Sequence, residues 1–168
     1  MIFVTVGTHE QPFNRLLEYV DKLKEQKVIT EEVIMQTGFS TYIPKYCEYQ
    51  KLFSYQKMNE LVEKARIVIT HGGPSSFLMV LQKGKIPIVV PRQKQFDEHV
   101  NDHQVEFVKQ VEERQGNIIV IEDIKDLKNI LLNYKNLVES MKSGMNSNNE
   151  IFNIKFEEIA NNLVYERK

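Results

Sequence analysis

Short β-branched runs alternate along the chain with longer stretches whose apolar residues recur at helical spacing. Ile2-Phe-Val-Thr-Val6 is a near-continuous apolar run closed by Gly7-Thr8, the pattern of a buried parallel strand. From Pro12 the period changes: Phe13, Leu16, Leu17, Val20 and Leu23 share one helical face, with Asp21, Lys22 and Glu25 off it. Pro12 suits the first turn of that helix, where a missing N–H costs nothing. Glu32 to Gly38 reads as a second strand and Tyr49 to Phe53 as a third, with a short helix through Met58, Leu61, Val62 and Ala65. Ile67-Val-Ile-Thr70 is again a buried strand, halted by a turn at His71-Gly72-Gly73-Pro74. A helix from about Ser75 to Gln82 follows, with Gly84 to cap it. Ile86 to Val90 is the next strand, with Pro87 at its start or at an edge. Arg92 to Glu98 forms a polar loop that leads into a helix over roughly Val100 to Glu113. Ile118 to Ile121 is a last strand, and Ile124 to Met141 a helix.

This alternation predicts an α/β fold, a Rossmann-like parallel sheet with helices on both faces. The sheet domain is expected over residues 1–142, with 143–168 as a linker and an amphipathic C-terminal helix. That helix carries Ile151, Phe152, Phe156, Ile159, Ala160 and Leu163 on one face, which suits docking on a partner or on the domain's own core.

Composition narrows the class. A chain of 168 residues with 42% hydrophobic and 10% aromatic residues can bury a real core, which excludes disorder for most of it. Lys and Arg number 22 against 23 Asp and Glu, and the net charge of −1 argues against a generic nucleic-acid binder. Cys47 is the only cysteine, so no intramolecular disulfide and no Cys-rich zinc site is expected. The longest apolar runs, Phe77 to Leu81 and Ile86 to Pro91, fall far short of the roughly 20 residues of a membrane span. The N-terminus lacks a basic region and a cleavage site, so it is expected to be a strand in a cytoplasmic domain.

In an open α/β sheet, ligands sit at the carboxyl ends of the strands. Three loops expected there carry unusual residues. After the first strand, Gly7 allows close backbone approach, Thr8 offers a hydroxyl and His9 a ring, within a plain glycine-assisted turn. After the fourth, His71-Gly72-Gly73-Pro74-Ser75-Ser76 clears side chains from the backbone and opens a helix whose N–H groups point outward, which suits phosphate. This is neither a Walker loop nor a dinucleotide fingerprint. After the fifth, Pro91 to Gln104 packs together Arg92, Lys94, Glu98, His99, His103 and Gln104. From Lys83 to Lys94 the chain holds four cations and no acid, a local field suited to an anionic ligand. His99 and His103 stand four residues apart and would share a helical face, but without a His-Glu-x-x-His order no metal site is expected.

At these residues the chain resembles a known family. Ile67-Val-Ile-Thr-His-Gly-Gly-Pro-Ser-Ser, Gly84-Lys-Ile-Pro-Ile-Val-Val-Pro and Glu98-His-Val-Asn-Asp-His-Gln104, with the opening Val-Gly-Thr, look like the donor-binding C-terminal half of a GT-B glycosyltransferase of family 28. The spelling is similar to small single-domain subunits of bacterial capsule and exopolysaccharide synthesis. Those are similar in turn to the small subunit of the eukaryotic dolichol-linked N-acetylglucosamine transferase.

The resemblance implies that Gly72, Gly73, Pro74, Ser75 and Ser76 hold the diphosphate of a UDP-sugar, with Gly7 and Thr8 across the crevice and His71 beside them. Residues from about Phe53 to Met58 would lie beside the uracil. His103 and Gln104 match the family's polar pair on the donor sugar, with Arg92, Glu98 and His99 nearby. The acidic residue that many members place against the ribose falls here on Met79, whose thioether cannot accept hydrogen bonds from two hydroxyls.

The implied function is donor binding within a two-chain transferase that moves a hexose to a lipid-linked saccharide, with no cofactor and no metal. One domain is half of a GT-B enzyme, so a membrane-anchored, acceptor-binding partner is expected to recruit this chain to the inner face of the cell membrane. The general base would belong to that partner, with His9 as the candidate in this chain. Two rival readings are a non-catalytic subunit that stabilises an active partner, and an unrelated sugar-nucleotide enzyme such as an epimerase fragment.

Overall fold

A computed structural model describes residues 1–141. The expected terminal helix and the linker before it lie outside the described residues. The sheet belongs to a compact unit, residues 1–132, and the described part of a second unit, residues 133–141, is helical.

Six strands form one sheet: β1 (Ile2–Thr5), β2 (Val33–Gln36), β3 (Glu48–Gln50), β4 (Ile67–His71), β5 (Ile88–Val90) and β6 (Ile119–Val120). Their order is β3-β2-β1-β4-β5-β6, and every pairing is parallel. The helices between the strands are α1 (Asn14–Glu25), α2 (Tyr55–Lys64), α3 (Pro74–Gln82) and α4 (His103–Gln115), with short 3-10 turns at Lys94–Phe96 and Ile124–Asp126, and the chain is helical again from residue 127.

The central strands are apolar throughout because both faces are covered, as a parallel sheet requires. Phe3 and Val68 pack with Leu61 and Val62 of α2 and Val80 of α3, and Phe77, Val89, Val108 and Ile118 extend the core toward α4. By strand alternation Ile2, Val4, Ile67 and Ile69 face the other way, toward the buried Leu16, Leu17, Val20 and Leu23 of α1. Right-handed crossovers explain this split. The chain leaves β1 for β2 on one side and β4 for β5 on the other, so α1 and α3 cover opposite faces.

Four details depart from the sequence pattern. First, α1 begins at Asn14, so Pro12 precedes the helix, and its carbonyl accepts from Arg92. Second, Asp21 does not lie off the buried face. It is 1% exposed and accepts hydrogen bonds from the Tyr42 hydroxyl (2.7 Å) and the N–H groups of Lys45 (2.8 Å) and Tyr46 (2.9 Å). With Asn14, whose side-chain oxygen accepts from the N–H groups of Thr41 and Tyr42, it pins the loop after β2 onto α1. Third, His71 is the last residue of β4 rather than part of the turn. Fourth, α4 starts at His103, not at Val100. Asp97 is left-handed at φ 55°, Asp102 accepts from the Lys94 N–H, and Asn101 accepts from the His103 N–H. These local side-chain bonds compete with helix formation. His99 and His103 therefore do not share a helical face.

Burial by itself would raise the Asp21 carboxyl, but bonds from the Lys45 N–H, Tyr42, the Tyr46 N–H and Cys47 outweigh it and hold the group below its ordinary range. A depressed carboxyl contributes stability that is present above the unfolded value and lost as pH falls through the folded one, so this anchor weakens only below about pH 4. Asp21→Ala strands three donors and is expected to cost about 2–4 kcal/mol in urea unfolding at pH 7. The deficit should shrink on acidification; a loss under about 0.5 kcal/mol would show that the loop is held by other contacts.

Candidate active site: a crevice at the switch in strand order

The strand order reverses between β1 and β4, so the loops leaving these two strands part in opposite directions and open a crevice between them. In register, Gln36, Thr5, Thr70 and Val89 form a row across the carboxyl edge of the sheet. Thr5 and Gln36 build the floor. The Thr5 hydroxyl oxygen accepts from the Gly7 N–H (3.2 Å) and from the Gln36 amide (3.1 Å), and the Gln36 carbonyl oxygen accepts from the Phe53 N–H (3.0 Å). One polar chain thereby links the first loop to the segment entering α2. Neither residue stood out in sequence, because a polar residue at a strand end is also the commonest way for a strand to stop.

His71 is wedged between the two glycine turns. A Cβ on Gly7 would stand 2.6 Å from its Nε2, and one on Gly73 would lie 3.0 Å from its Cδ2 and closer still to Nε2. Both positions therefore require glycine, and Gly7 also has a left-handed φ of 75°. The ring is 8% exposed, and its buried Nδ1 makes no hydrogen bond of normal geometry. Burial first, and then the Arg92 charge, push this imidazole down to about 4, against a smaller opposing pull from the Thr5 backbone. His71 is thus neutral at pH 7. Gly72 is also tight, but less so, since a Cβ there would meet the Gln104 side chain at 3.0 Å and the Pro91 backbone at 3.3 Å.

Beyond Gly73 the chain turns directly into α3. Gly73 caps the helix with no side-chain hydrogen bond, and Pro74 takes the first position, where its ring pre-sets the helical φ. Ser75 is exposed and Ser76 half-buried. An N-terminus that no side chain caps favours an anion. Met79 is half-buried against the cluster of Phe3, Leu61 and Val80, so it serves the core.

The third wall comes from the segment after β5, and its side chains divide into two groups. Arg92 is 0% exposed and turns inward, donating to the carbonyls of Val6 (3.0 Å), Gln11 (2.8 Å), Pro12 (3.3 Å) and Glu98 (3.1 Å). It thus ties the first loop to the third, beneath the Phe13 ring. Burial lowers it to about 10, opposed by Glu98, so it stays charged at neutral pH. Glu98 is also buried. Its carboxylate accepts from Arg15 Nε (2.8 Å) and Nη2 (2.9 Å) and from the Gln93 N–H (3.0 Å). Both residues spend their hydrogen bonds inside the fold, holding the loops that form the crevice. In the second group, Gln104 lies against Gly72 with its side-chain oxygen accepting from the Arg92 N–H (3.2 Å). His103 is 78% exposed at the start of α4, and His99 is half-buried.

The first loop completes the set. Thr8 is exposed. His9 stacks on His99 with ring centres 4.9 Å apart and planes tilted by 39°. Its Nδ1 accepts from the Gln11 N–H (3.1 Å), and the Nδ1 of His99 accepts from the Asn101 N–H (3.4 Å). Burial, then Arg92 and then His99, lower the His9 imidazole below its ordinary value, while Glu10 opposes them. The expected site residues thus converge from three loops on the two sides of one crevice. Arg92 and Glu98 lie beneath it, and His103 stands at its outer edge.

A parallel doubly wound sheet with ligand-competent loops at its switch point defines the class, a Rossmann-like α/β domain of the kind that forms half of a GT-B enzyme. The sequence matches the glycosyltransferase family 28 C-terminal domain over residues 1–162, and the chain belongs to that family. It is 32% identical over 126 residues to the human UDP-N-acetylglucosamine transferase subunit ALG13, covering 70% of this chain and 10% of that protein. The mouse protein of the same name is 30% identical over 125 residues, covering 69% of this chain and again 10% of that protein. The chain therefore spans about a tenth of the length of the curated relatives it matches. In structure it is similar to the glycosyltransferase SnogD from Streptomyces nogalater, with a TM-score of 0.51, 17% identity, and 72% of this chain on 31% of that one. The glycotransferase of kitacinnamycin gives a TM-score of 0.58 at 15% identity, with 86% of this chain on 38% of that one.

Proposed function

We propose that this chain is the donor-binding subunit of a two-chain glycosyltransferase that moves a hexose from a UDP-sugar to a lipid-linked saccharide in capsule or exopolysaccharide synthesis. The observation that carries the reading is the crevice between β1 and β4, where Gly7, Gly72 and Gly73 strip side chains from the backbone and α3 points its N-terminus outward. In such a transfer an acceptor hydroxyl attacks the anomeric carbon, the bond to the diphosphate breaks, and negative charge grows on the departing UDP. Backbone N–H groups and the α3 N-terminus answer that charge without reorganising, and this is how a binding site becomes a catalytic one. Neither a metal nor another cofactor enters this reading. Ser75, Ser76 and Thr8 add hydroxyl donors, and Gln104 and His103 face the sugar.

One fact supports a partner: the curated relatives are named subunits. No helix among the described residues is long and apolar enough to cross a membrane. Calorimetric titration with UDP-galactose, UDP-glucuronic acid and UDP-N-acetylglucosamine, with and without a coexpressed membrane-bound partner, tests the reading. Binding of UDP and partner-dependent transfer are expected. If neither preparation binds UDP, the donor role fails. If Gly73→Asp leaves transfer intact in an assembled complex, the chain is a stabilising subunit rather than a catalytic one.

A further inference from the structure

Three of the four histidines of the chain lie at the carboxyl edge of the sheet or on the loops that leave it, the fourth, His103, opens α4, and two of the loop histidines form a stacked pair. His9 comes from the loop after β1 and His99 from the loop after β5, so the pair spans the crevice walls rather than lying within one element. In each ring Nδ1 accepts a backbone N–H from two residues ahead, at 3.1 Å for His9 and 3.4 Å for His99. A backbone N–H can only donate, so Nδ1 contributes its lone pair and the ring's one hydrogen sits on Nε2. Nε2 lies at the far end of the ring, away from the backbone that Nδ1 engages. Protonating either ring would put a second hydrogen on Nδ1 and break that bond. Accepting a proton at Nε2 is impossible while that atom carries its own hydrogen.

Most of the charges around His9 act in the same direction. Arg92 lies beneath it, His71 and His99 stand beside His9, and Glu10 is the acid that opposes them. Burial, Arg92 and His99 favour the uncharged ring. Arg92 finds four carbonyls as its partners, and the Glu98 carboxylate is taken by Arg15, so two guanidiniums against one carboxylate leave one positive charge under the crevice. An anion is therefore favoured above it.

We infer that His9 and His99, each held by a backbone N–H at Nδ1, offer two Nε2–H donors to the diphosphate of the donor nucleotide, and that neither is the general base. The inference rests on the UDP-sugar reading above. It assigns His9, whose position otherwise suits a base, to the binding and orientation of the leaving group. The base that deprotonates the acceptor must then come from outside the pair.

The test compares residues that donate with residues that accept. Affinities for UDP-galactose and UDP-N-acetylglucosamine are measured by calorimetry for the full chain and for Gln, Glu and Phe replacements at His9 and His99, with thermal unfolding to check each fold. Gln places an amide N–H near Nε2, so His9→Gln and His99→Gln should bind within about threefold of the parent. Phe keeps the ring stack without the donor and should weaken binding up to about tenfold. Glu puts an acceptor against an anion and should weaken it by more than about tenfold. For the unmodified protein, affinity should stay flat from about pH 6 to pH 8, because no proton is exchanged. Affinity that falls about tenfold per pH unit across this range would mean an imidazolium, and would overturn the inference without any variant. Retained transfer in His9→Glu with loss in His9→Gln would make His9 a base, and would overturn it equally. If the unmodified protein binds neither nucleotide sugar, alone or with its coexpressed partner, the UDP-sugar reading itself fails and the inference falls with it.

Discussion

Gly73→Ala and Gly7→Ala are each expected to lower UDP-sugar-dependent transfer about 100-fold, with a larger loss of stability in the second. The cause is steric. In either variant the new methyl group enters the space of the His71 ring, which is held buried at the end of β4. Displacing the ring by about 1 Å moves both glycine turns, and misplacement on that scale costs about 100-fold in rate. Overpacking a tight site costs about 1–3 kcal/mol, and a non-glycine residue at the left-handed φ of Gly7 adds about 1–2 kcal/mol. Gly84 is the control. It has a similar φ of 67°, but nothing lies within 4 Å of its Cβ position. Gly84→Ala should therefore show the backbone penalty alone, with nucleotide binding unchanged. If the three variants behave alike in binding, the glycines answer only to backbone conformation, and contact with His71 is immaterial.

Arg92→Met is expected to be the most destabilising of the substitutions considered, at about 3–5 kcal/mol in urea unfolding. The substitution conserves much of the volume but leaves the carbonyls of Val6, Gln11, Pro12 and Glu98 without their donor in a buried place. It also removes the positive charge beneath the crevice. Arg92→Lys should recover part of the loss, because an ammonium brings charge but cannot fork to carbonyls on both loops. The two variants together separate charge from geometry: nucleotide affinity that returns with Lys follows the charge, and stability that does not return follows the fork. A loss below about 1 kcal/mol in Arg92→Met would show that the loops are tied by other contacts.

The candidate site was legible in sequence as a set of loops and far less so as a set of roles. Gly7, Gly72 and Gly73 announced themselves because consecutive or strand-terminating glycines have few other uses at a βα turn. His71 was visible as an oddity, but its place as the last residue of a strand, squeezed between glycines 66 residues apart in sequence, was not. Arg92 and Glu98 illustrate the limit best. A charged residue in a polar loop has the same spelling whether it reaches into a crevice or turns beneath it. Here the direction is set by the carbonyls of residues 6, 11 and 12 and by Arg15, all some eighty positions away. Asp21 misled for the same reason, since its three donors come from residues 42–46.

Hydrophobic periodicity alone determined the alternation of strands and helices, the parallel sheet and the edge on which chemistry would gather. These follow from short-range rules: β-branched runs, helical spacing and the handedness of crossovers. Tertiary structure alone decided which polar residues line the loops of the crevice and which turn inward to hold the fold. It put Arg92 and Glu98 beneath the crevice, delayed α4 so that His99 met His9 instead of His103, and fixed the hydrogens of that pair by backbone N–H groups. The physical reason is that a polar side chain takes its role from its partners. In this fold those partners lie on other strands and loops, beyond the reach of any local pattern.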